Sequence, residues 1–355
     1  MPIDLRSDTV TLPTPAMRQA MATAELGDDV FGEDPTVNRL ESLAARLTGM
    51  EAGLFVSSGT MGNLGSLLAH CGRGQEVILG DESHIYQYEN GSASALGGMV
   101  MHPVRTNLDG TLPLDAIEAA IHLPSHHYHF YHWAPPGVIC LENTHNRCGG
   151  AILSPEYFAA VAAIARRHNL PVHLDGARLF NAAVASGRPV SDWTRHVSSV
   201  QLCVSKGLAA PVGSLICGSA AFVDRARRMR KILGGGMRQA GVIAAPGIVA
   251  LTEMVDRLAE DHQNARILAE GIASLPGITL DLSTVQTNIV IFGLPGVAEA
   301  AALSAALEKE GVRVSDFGGG RLRLVTHYGI SEADCWKAVE VIGRLWARSR
   351  AGIAQ

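Results

Sequence analysis

From Gly53 onward, short apolar runs alternate with stretches whose apolar residues recur at helical spacing. Gly53 to Val56 precedes a helix pattern over Gly62 to His70, and Glu76 to Leu79 precedes one over Ile85 to Leu96. Val138 to Leu141 precedes Phe158, Val161, Ala162, Ile164 and Ala165, an apolar face at i, i+3 and i+4. Pro171 to Leu174, Val197 to Val204 and Ser214 to Cys217 are apolar enough to be buried on both faces. This alternation predicts an α/β fold with a mostly parallel sheet covered by helices on both sides.

After about Ala244 the pattern becomes one long helical stretch through Leu251, Val255, Leu258, His262, Ala265, Leu268 and Ile272. Strand patterns at Asn288 to Phe292, Val312 to Ser315 and Leu322 to Val325 then interleave with helices at Ala298 to Glu308 and Glu332 to Arg348. The last helix is expected to bury Ala333, Trp336, Val339, Ile342 and Trp346. The division expected is an N-terminal arm and helix over 1–30, a large domain over 31–245 and a smaller C-terminal α/β domain over 246–355.

With 355 residues and 47% of them hydrophobic, the chain has ample material for a core, which excludes disorder over most of its length. A net charge of −5 without any basic block argues against nucleic acid as a partner and for a small molecule. The six cysteines form no C-x-x-C pair, so neither a disulfide framework nor a zinc ribbon is expected. Charges in the opening Met1 to Asp8 stand where a signal peptide needs an apolar run. The uncharged stretch Gly207 to Val223 is broken by Pro211 and reads as buried strand and loop rather than a membrane span. A cytoplasmic location with no membrane partner is the expectation.

Three features carry candidate chemistry. Ser57-Ser58-Gly59-Thr60-Met61-Gly62-Asn63 follows a strand and opens a helix, where backbone N–H groups, hydroxyls and the helix dipole favour a phosphate. The same run also reads as a strand-to-helix turn with a Ser/Thr N-cap. Asp175, in Val172-His173-Leu174-Asp175-Gly176, ends an apolar strand at the edge where open α/β sheets bind ligands, or else caps a helix starting near Ala177. Lys206 is one of four lysines among 29 basic residues, and it closes an apolar strand with no carboxylate nearby in sequence. Burial there disfavours the ammonium, as a Schiff-base nucleophile requires, although a strand-end lysine can also snorkel to water. Pyridoxal phosphate needs all three: a lysine for its aldehyde, an acid for its pyridine nitrogen and an anion site for its phosphate.

The chain resembles the L-threonine aldolases, pyridoxal-phosphate lyases of fold type I, the aspartate aminotransferase-like fold with a large, mostly parallel seven-stranded sheet domain. The resemblance rests on D-L-R-S-D-T-V-T from Asp4, G-D-D-V-F-G-E-D-P-T from Gly27, S-S-G-T-M-G-N, L-E-N-T-H-N from Leu141, H-L-D-G-A-R from His173, S-K-G-L from Ser205, G-G-G-M-R-Q from Gly234 and R-L-V-T-H from Arg323. It implies that Lys206 carries the cofactor as a Schiff base, Asp175 keeps the pyridine nitrogen protonated and His84 stacks on the ring. Ser58, Gly59 and Thr60 would bind the phosphate, and Arg238 would approach it, from a neighbouring subunit in a shared active site. Ser7, Arg178 and Arg323 would anchor the substrate carboxylate, with Arg178 also near the cofactor.

The implied reaction is retro-aldol cleavage of L-threonine, L-allo-threonine or related β-hydroxy-α-amino acids to glycine and an aldehyde, placing the chain in threonine catabolism and glycine biosynthesis. His84, His132 or a water between would take the β-hydroxyl proton. A homotetramer built from dimers is the implied assembly. A β-eliminating lyase or aminotransferase on the same fold, a cofactor sensor without turnover, and a metal-binding protein are the alternatives. The last is suggested by His122, His126, His127, His129 and His132, interleaved with Tyr128, Tyr131 and Trp133. No H-E-x-x-H motif occurs among them, and no metal is assigned.

Overall fold

A computed structural model describes residues 2–122 and 132–353 of the chain. The strands are β1 (Ile3–Asp4), β2 (Ala52–Val56), β3 (Glu76–Gly80), β4 (Val100–Val104), β5 (Pro136–Glu142), β6 (Val172–Asp175), β7 (Ser199–Cys203), β8 (Ser214–Gly218), β9 (Ile289–Gly293), β10 (Val312–Arg313), β11 (Ser315–Gly318) and β12 (Arg321–Val325). The helices are α1 (Pro15–Ala22), α2 (Pro35–Thr48), α3 (Gly59–His70), α4 (His84–Gln87), α5 (Ser92–Ala95), α6 (Leu114–Ala119), α7 (Pro155–Arg167), α8 (Leu179–Ser186), α9 (Ser191–Thr194), α10 (Ala220–Ile232), α11 (Gly241–Glu253), α12 (Leu258–Ala273), α13 (Val297–Lys309) and α14 (Glu332–Ile353).

The large sheet has seven strands in the order β2-β8-β7-β6-β5-β3-β4. β8 runs antiparallel to both neighbours and the remaining pairs are parallel. Every residue of β3, β5, β6, β7 and β8 is buried, as strands covered on both faces are, although His173, Ser199 and Gln201 interrupt their apolar runs. α7 shows how sequence sets such an element. The Ser154 hydroxyl accepts from the Tyr157 N–H, Pro155 occupies the first turn, and Phe158, Val161, Ala162, Ile164 and Ala165 face the core.

A smaller antiparallel sheet, ordered β11-β12-β9, carries α12, α13 and α14. Side chains through Leu258 pack in the apolar core of the large sheet. From Ala265 on they pack in a second core that also takes in Ile3 and Leu5, so the change of core falls within α12. The expected boundary at 245 lies inside α11, shortly before this point. β1 pairs in parallel with β10 as a separate two-stranded sheet, and the Leu5 carbonyl accepts from the Val325 N–H of β12, fastening the N-terminus to the small sheet.

Four expectations are corrected. The helix read over Ile85 to Leu96 is two short ones, α4 and α5, because Asn90 and Gly91 take left-handed φ of 55° and 63° between them. The stretch after Ala244 breaks between α11 and α12 at a turn closed by the Leu258 N–H on the Val255 carbonyl. No glycine or proline marks that turn, so the periodicity runs across it. β4 has no counterpart in the expected pattern: Val-Met-His-Pro-Val neither alternates nor runs apolar, and Pro103 is tolerated because the strand lies at the sheet edge. In α14, Ile342 and Trp346 are buried as expected, but Ala333 and Trp336 are exposed, and Cys335, Ala338 and Val341 complete the buried stripe.

Candidate active site

β3, β6 and β7 end on the same edge of the large sheet, and the residues just beyond them converge there: His84 after β3, Asp175 closing β6 and Lys206 after β7. A cavity of about 270 Å³ opens at this edge, against the small sheet, lined in part by Ser7, His84, Arg178, Lys206, Phe317 and Arg323. Lys206 sits in a tight turn in which its carbonyl accepts from the N–H of Ala209, itself at a left-handed φ of 66°. The Lys206 ammonium makes no hydrogen bond or ion pair with the described residues. The carboxylate that the sequence does not place near it is Asp8, whose charge and that of Lys206 favour one another across the fold.

Arg178 and Asp8 form a buried bidentate pair, with Nε to Oδ2 and Nη2 to Oδ1 both at 2.7 Å. Burial alone would raise the Asp8 pKa, but the Arg178 charge and hydrogen bonds outweigh it and hold the carboxyl well below its ordinary range. Arg178 therefore lines the cavity with two of its nitrogens already engaged, leaving Nη1 for a ligand. Arg323 is differently placed. Its Nη1 donates to Asn146 Oδ1 at 2.9 Å and its Nη2 to the Arg6 carbonyl at 3.2 Å, but its Nε is buried without a partner. Burial and then the neighbouring Arg178 push its pKa down to about 10. A cation so desolvated is a site for an anion. Phe317 packs beneath it, 5.3 Å from ring centre to guanidinium. Ser7 lines the same cavity while its hydroxyl accepts from the Thr9 N–H at 3.2 Å.

Behind His84 lies a polar array. The Asn63 amide, on α3, donates to Asp175 Oδ2 at 2.8 Å and to Glu89 Oε1 at 2.7 Å, and that same Glu89 oxygen lies 3.0 Å from His84 Nδ1. With two carboxylates on its amide side, Asn63 turns its carbonyl the other way, where His173 Nε2 approaches it at 3.1 Å and must donate. His173 Nδ1 then accepts from Ser199, which accepts in turn from His70. Burial lowers the His173 pKa to about 4, which keeps the ring neutral. For His84, burial favours the neutral ring, but the Glu89 hydrogen bond with the Asp175, Glu142 and Glu89 charges outweighs it, and the pKa is raised. The Asp175 carboxylate also accepts from the Ala177 N–H at 3.1 Å, although α8 begins only at Leu179 and has no side-chain cap.

The start of α3 bears out the N-cap reading of the sequence and leaves donors open for an anion. The Ser58 hydroxyl caps the helix by accepting from the Met61 N–H at 3.2 Å, while the first N–H groups, on Gly59 and Thr60, make no backbone hydrogen bond. Packing explains the glycines: a Cβ on Gly59 would lie 2.9 Å from Cys203 Sγ, and one on Gly62 would lie 2.6 Å from Gln201 Cγ. Gln201 pairs with Asp175 in the sheet, so the helix start is pressed onto the strand ends.

Two expected residues lie apart. The side chain of Arg238 is 62% exposed and pairs with Asp28 at 3.2 Å. His132 is exposed and is not among the residues lining the cavity. His126, His127, His129, Tyr128 and Tyr131 lie outside the described residues.

The sequence profile of the beta-eliminating lyases matches residues 4–294. Low-specificity L-threonine aldolase 1 of Arabidopsis thaliana is 49% identical over 94% of this chain and 93% of its own length. The chain belongs to this family, among its L-threonine aldolases. The low specificity L-threonine aldolase of Escherichia coli strain K12 is 44% identical over 93% of the chain and 95% of that protein. Among solved structures, the threonine aldolase of Leishmania major superposes with a TM-score of 0.80 at 24% identity, covering 97% of this chain and 99% of that one. A serine palmitoyltransferase of Sphingomonas wittichii superposes at 0.76 with 20% identity, over 97% and 86%. These likenesses show fold type I.

Sequence reasoning missed Asp8, Asn63, Glu89 and Asn146 as members of this aldolase site. Asp8, Asn63 and Asn146 all fall within motifs that carry the family resemblance, but their partners lie far along the chain, 170 residues away for Asp8 and 112 for Asn63 and Asp175. No local pattern reports such pairs.

Proposed function

We propose that the protein is a pyridoxal-phosphate-dependent L-threonine aldolase, cleaving L-threonine, L-allo-threonine and other L-β-hydroxy-α-amino acids to glycine and an aldehyde. One observation carries this reading beyond the family: Lys206, whose ammonium has no hydrogen-bond partner among the described residues, and Arg323, whose buried Nε has none, line one cavity. An amine for an aldehyde cofactor and a cation for an amino-acid carboxylate are what the reaction needs.

The residues fit the cofactor. Lys206 offers its amine, Asp175 a carboxylate already held by two donors, and the start of α3 two N–H groups for a phosphate. When bound, pyridoxal phosphate accepts the electron pair released from the Cα–Cβ bond. Asp175 keeps the proton on the pyridine nitrogen, and Asn63 keeps Asp175 in place. Arg323, with Ser7 and the remaining Arg178 nitrogen, holds the substrate carboxylate and thereby selects which Cα bond breaks. Of the two candidate imidazoles, His84 lines the cavity, and we assign the β-hydroxyl proton to it, directly or through water.

We also read the protein as a cytoplasmic homotetramer serving threonine breakdown and glycine formation. The exposure of Phe31 and Ile232, each 73%, together with the outward Arg238, supports a neighbouring subunit there. The test of function is product analysis: purified protein with cofactor should release acetaldehyde and glycine in equal amounts from L-threonine or L-allo-threonine. A keto acid, or an aminated cofactor without acetaldehyde, would instead indicate elimination or transamination.

A further inference from the structure

At the opposite end of β3 from His84, three side chains that the aldolase reaction does not use come together. Glu76 opens β3, His102 lies on the neighbouring edge strand β4, and His122 follows α6 by three residues. His102 Nδ1 is 3.3 Å from Glu76 Oε2, and His122 Nδ1 is 3.9 Å from the same oxygen. One ligand atom from each residue lies within 4.8 Å of the others. Four residue steps of strand separate Glu76 from Gly80, or about 13 Å, so this group is remote from the cavity.

Hydrogen bonding accounts for part of the arrangement. His102 reaches Glu76, but His122 stands too far away to bond it, and His122 Nδ1 is buried without a hydrogen-bond partner. Two imidazoles converge on one carboxylate oxygen, with ring centres 5.8 Å apart. His122 Nδ1 thus faces the shared carboxylate oxygen without a hydrogen bond to it or to any other described residue.

We propose that Glu76, His102 and His122 form a site for a divalent transition metal of the zinc type. Ligands at the usual zinc distances stand about 3.4 Å apart at the corners of a tetrahedron. The observed separations from Glu76 Oε2, 3.3 and 3.9 Å, bracket this value, and all three ligand atoms lie within 4.8 Å of one another. Two imidazoles and one carboxylate suit zinc, cobalt or nickel rather than calcium or magnesium, and three protein ligands leave the fourth position to water. The support is firm at Glu76: β3 is paired on both sides, with Glu76 opposite Val100 and Pro136. With side chains 30% and 26% exposed, His102 and His122 admit the ion from solvent. Bound metal would tie the residues after α6 to the edge strand, a structural role with no part in turnover.

The test is titration of the cofactor-loaded protein with Zn²⁺ by calorimetry and with Co²⁺ by visible absorption, in the wild type and in His102→Ala, His122→Ala and Glu76→Gln. The wild type should bind one ion per chain, with cobalt bands of a four-coordinate site, and Zn²⁺ should raise its melting temperature. Each variant should bind at least about 100-fold more weakly, the larger end of what loss of even an outer-shell partner costs, and should lose the Zn²⁺-dependent thermal shift. His122→Gln guards against misfolding, since it removes the ligand and keeps a polar side chain of similar reach. Absence of saturable binding in the wild type would overturn the proposal. So would wild-type affinity in the variants, which would place the ion elsewhere. None of these readouts depends on aldolase activity.

Discussion

Arg323 has the sharpest individual role, because its buried Nε has no partner until a carboxylate arrives. Arg323→Ala should raise KM and lower kcat/KM for L-threonine by roughly 10- to 100-fold, the ~1.5–3 kcal/mol of a hydrogen bond to a charged group, with cofactor binding retained. Loss of cofactor instead would show that the residue serves the cofactor. His84 gives a pH prediction. As a base it must be neutral, so activity falls as pH drops through its pKa, which the Glu89 hydrogen bond raises against burial. Glu89→Gln removes that charge, lowers the His84 pKa, and should move the acid limb of kcat/KM to lower pH. An acid limb that stays put or moves upward would deny His84 the role. At this scale, Lys206 and Asp175 were legible because each ends an apolar strand. Asp8 was not, because its partner Arg178 is remote in sequence, and Arg178 looks free to bind substrate until the fold shows two of its nitrogens taken.

Elements that obey local rules were the most legible. α7 carries its cap, its proline and its apolar face in contiguous sequence, and the buried strands stand out as apolar runs. β4 escaped because an edge strand buries little, and the split between α4 and α5 escaped because it depends on two left-handed residues rather than on periodicity. The cap at the start of α3 was legible from its serine, but the reason for its glycines was not. They let the helix lie against Gln201 and Cys203. Gly62→Ala should therefore cost about 1–3 kcal/mol of stability by overpacking and weaken cofactor binding, read as a lower melting temperature and a raised cofactor dissociation constant. Unchanged values for both would mean that Gln201 yields without cost and that the close approach is not needed.

Over the whole molecule, the N-terminal arm joins the two sheets. β1 pairs with β10 of the small part, while Asp8 reaches Arg178 beyond β6 and lies 3.3 Å from Asn288 at the start of β9. The cavity sits at this junction, so the arm that closes it also orients Arg178. Asp8→Ala leaves Arg178 buried and unpaired and should cost about 3–5 kcal/mol, seen in chemical denaturation; a loss below about 1 kcal/mol would mean that water or a ligand replaces the pair. The α/β class and the mostly parallel sheet followed from the beat of runs along the chain, whereas the arm's bridging role is visible only once both sheets stand in place. The central claim is that Lys206 holds pyridoxal phosphate at the head of this cavity. Borohydride treatment of the cofactor-loaded protein, followed by peptide mapping, tests it most directly. The account predicts a reduced cofactor adduct on the Lys206 peptide that is missing in Lys206→Ala, together with loss of threonine cleavage by several orders of magnitude. An adduct on Lys231, Lys309 or Lys337, or threonine cleavage undiminished in Lys206→Ala, would contradict it.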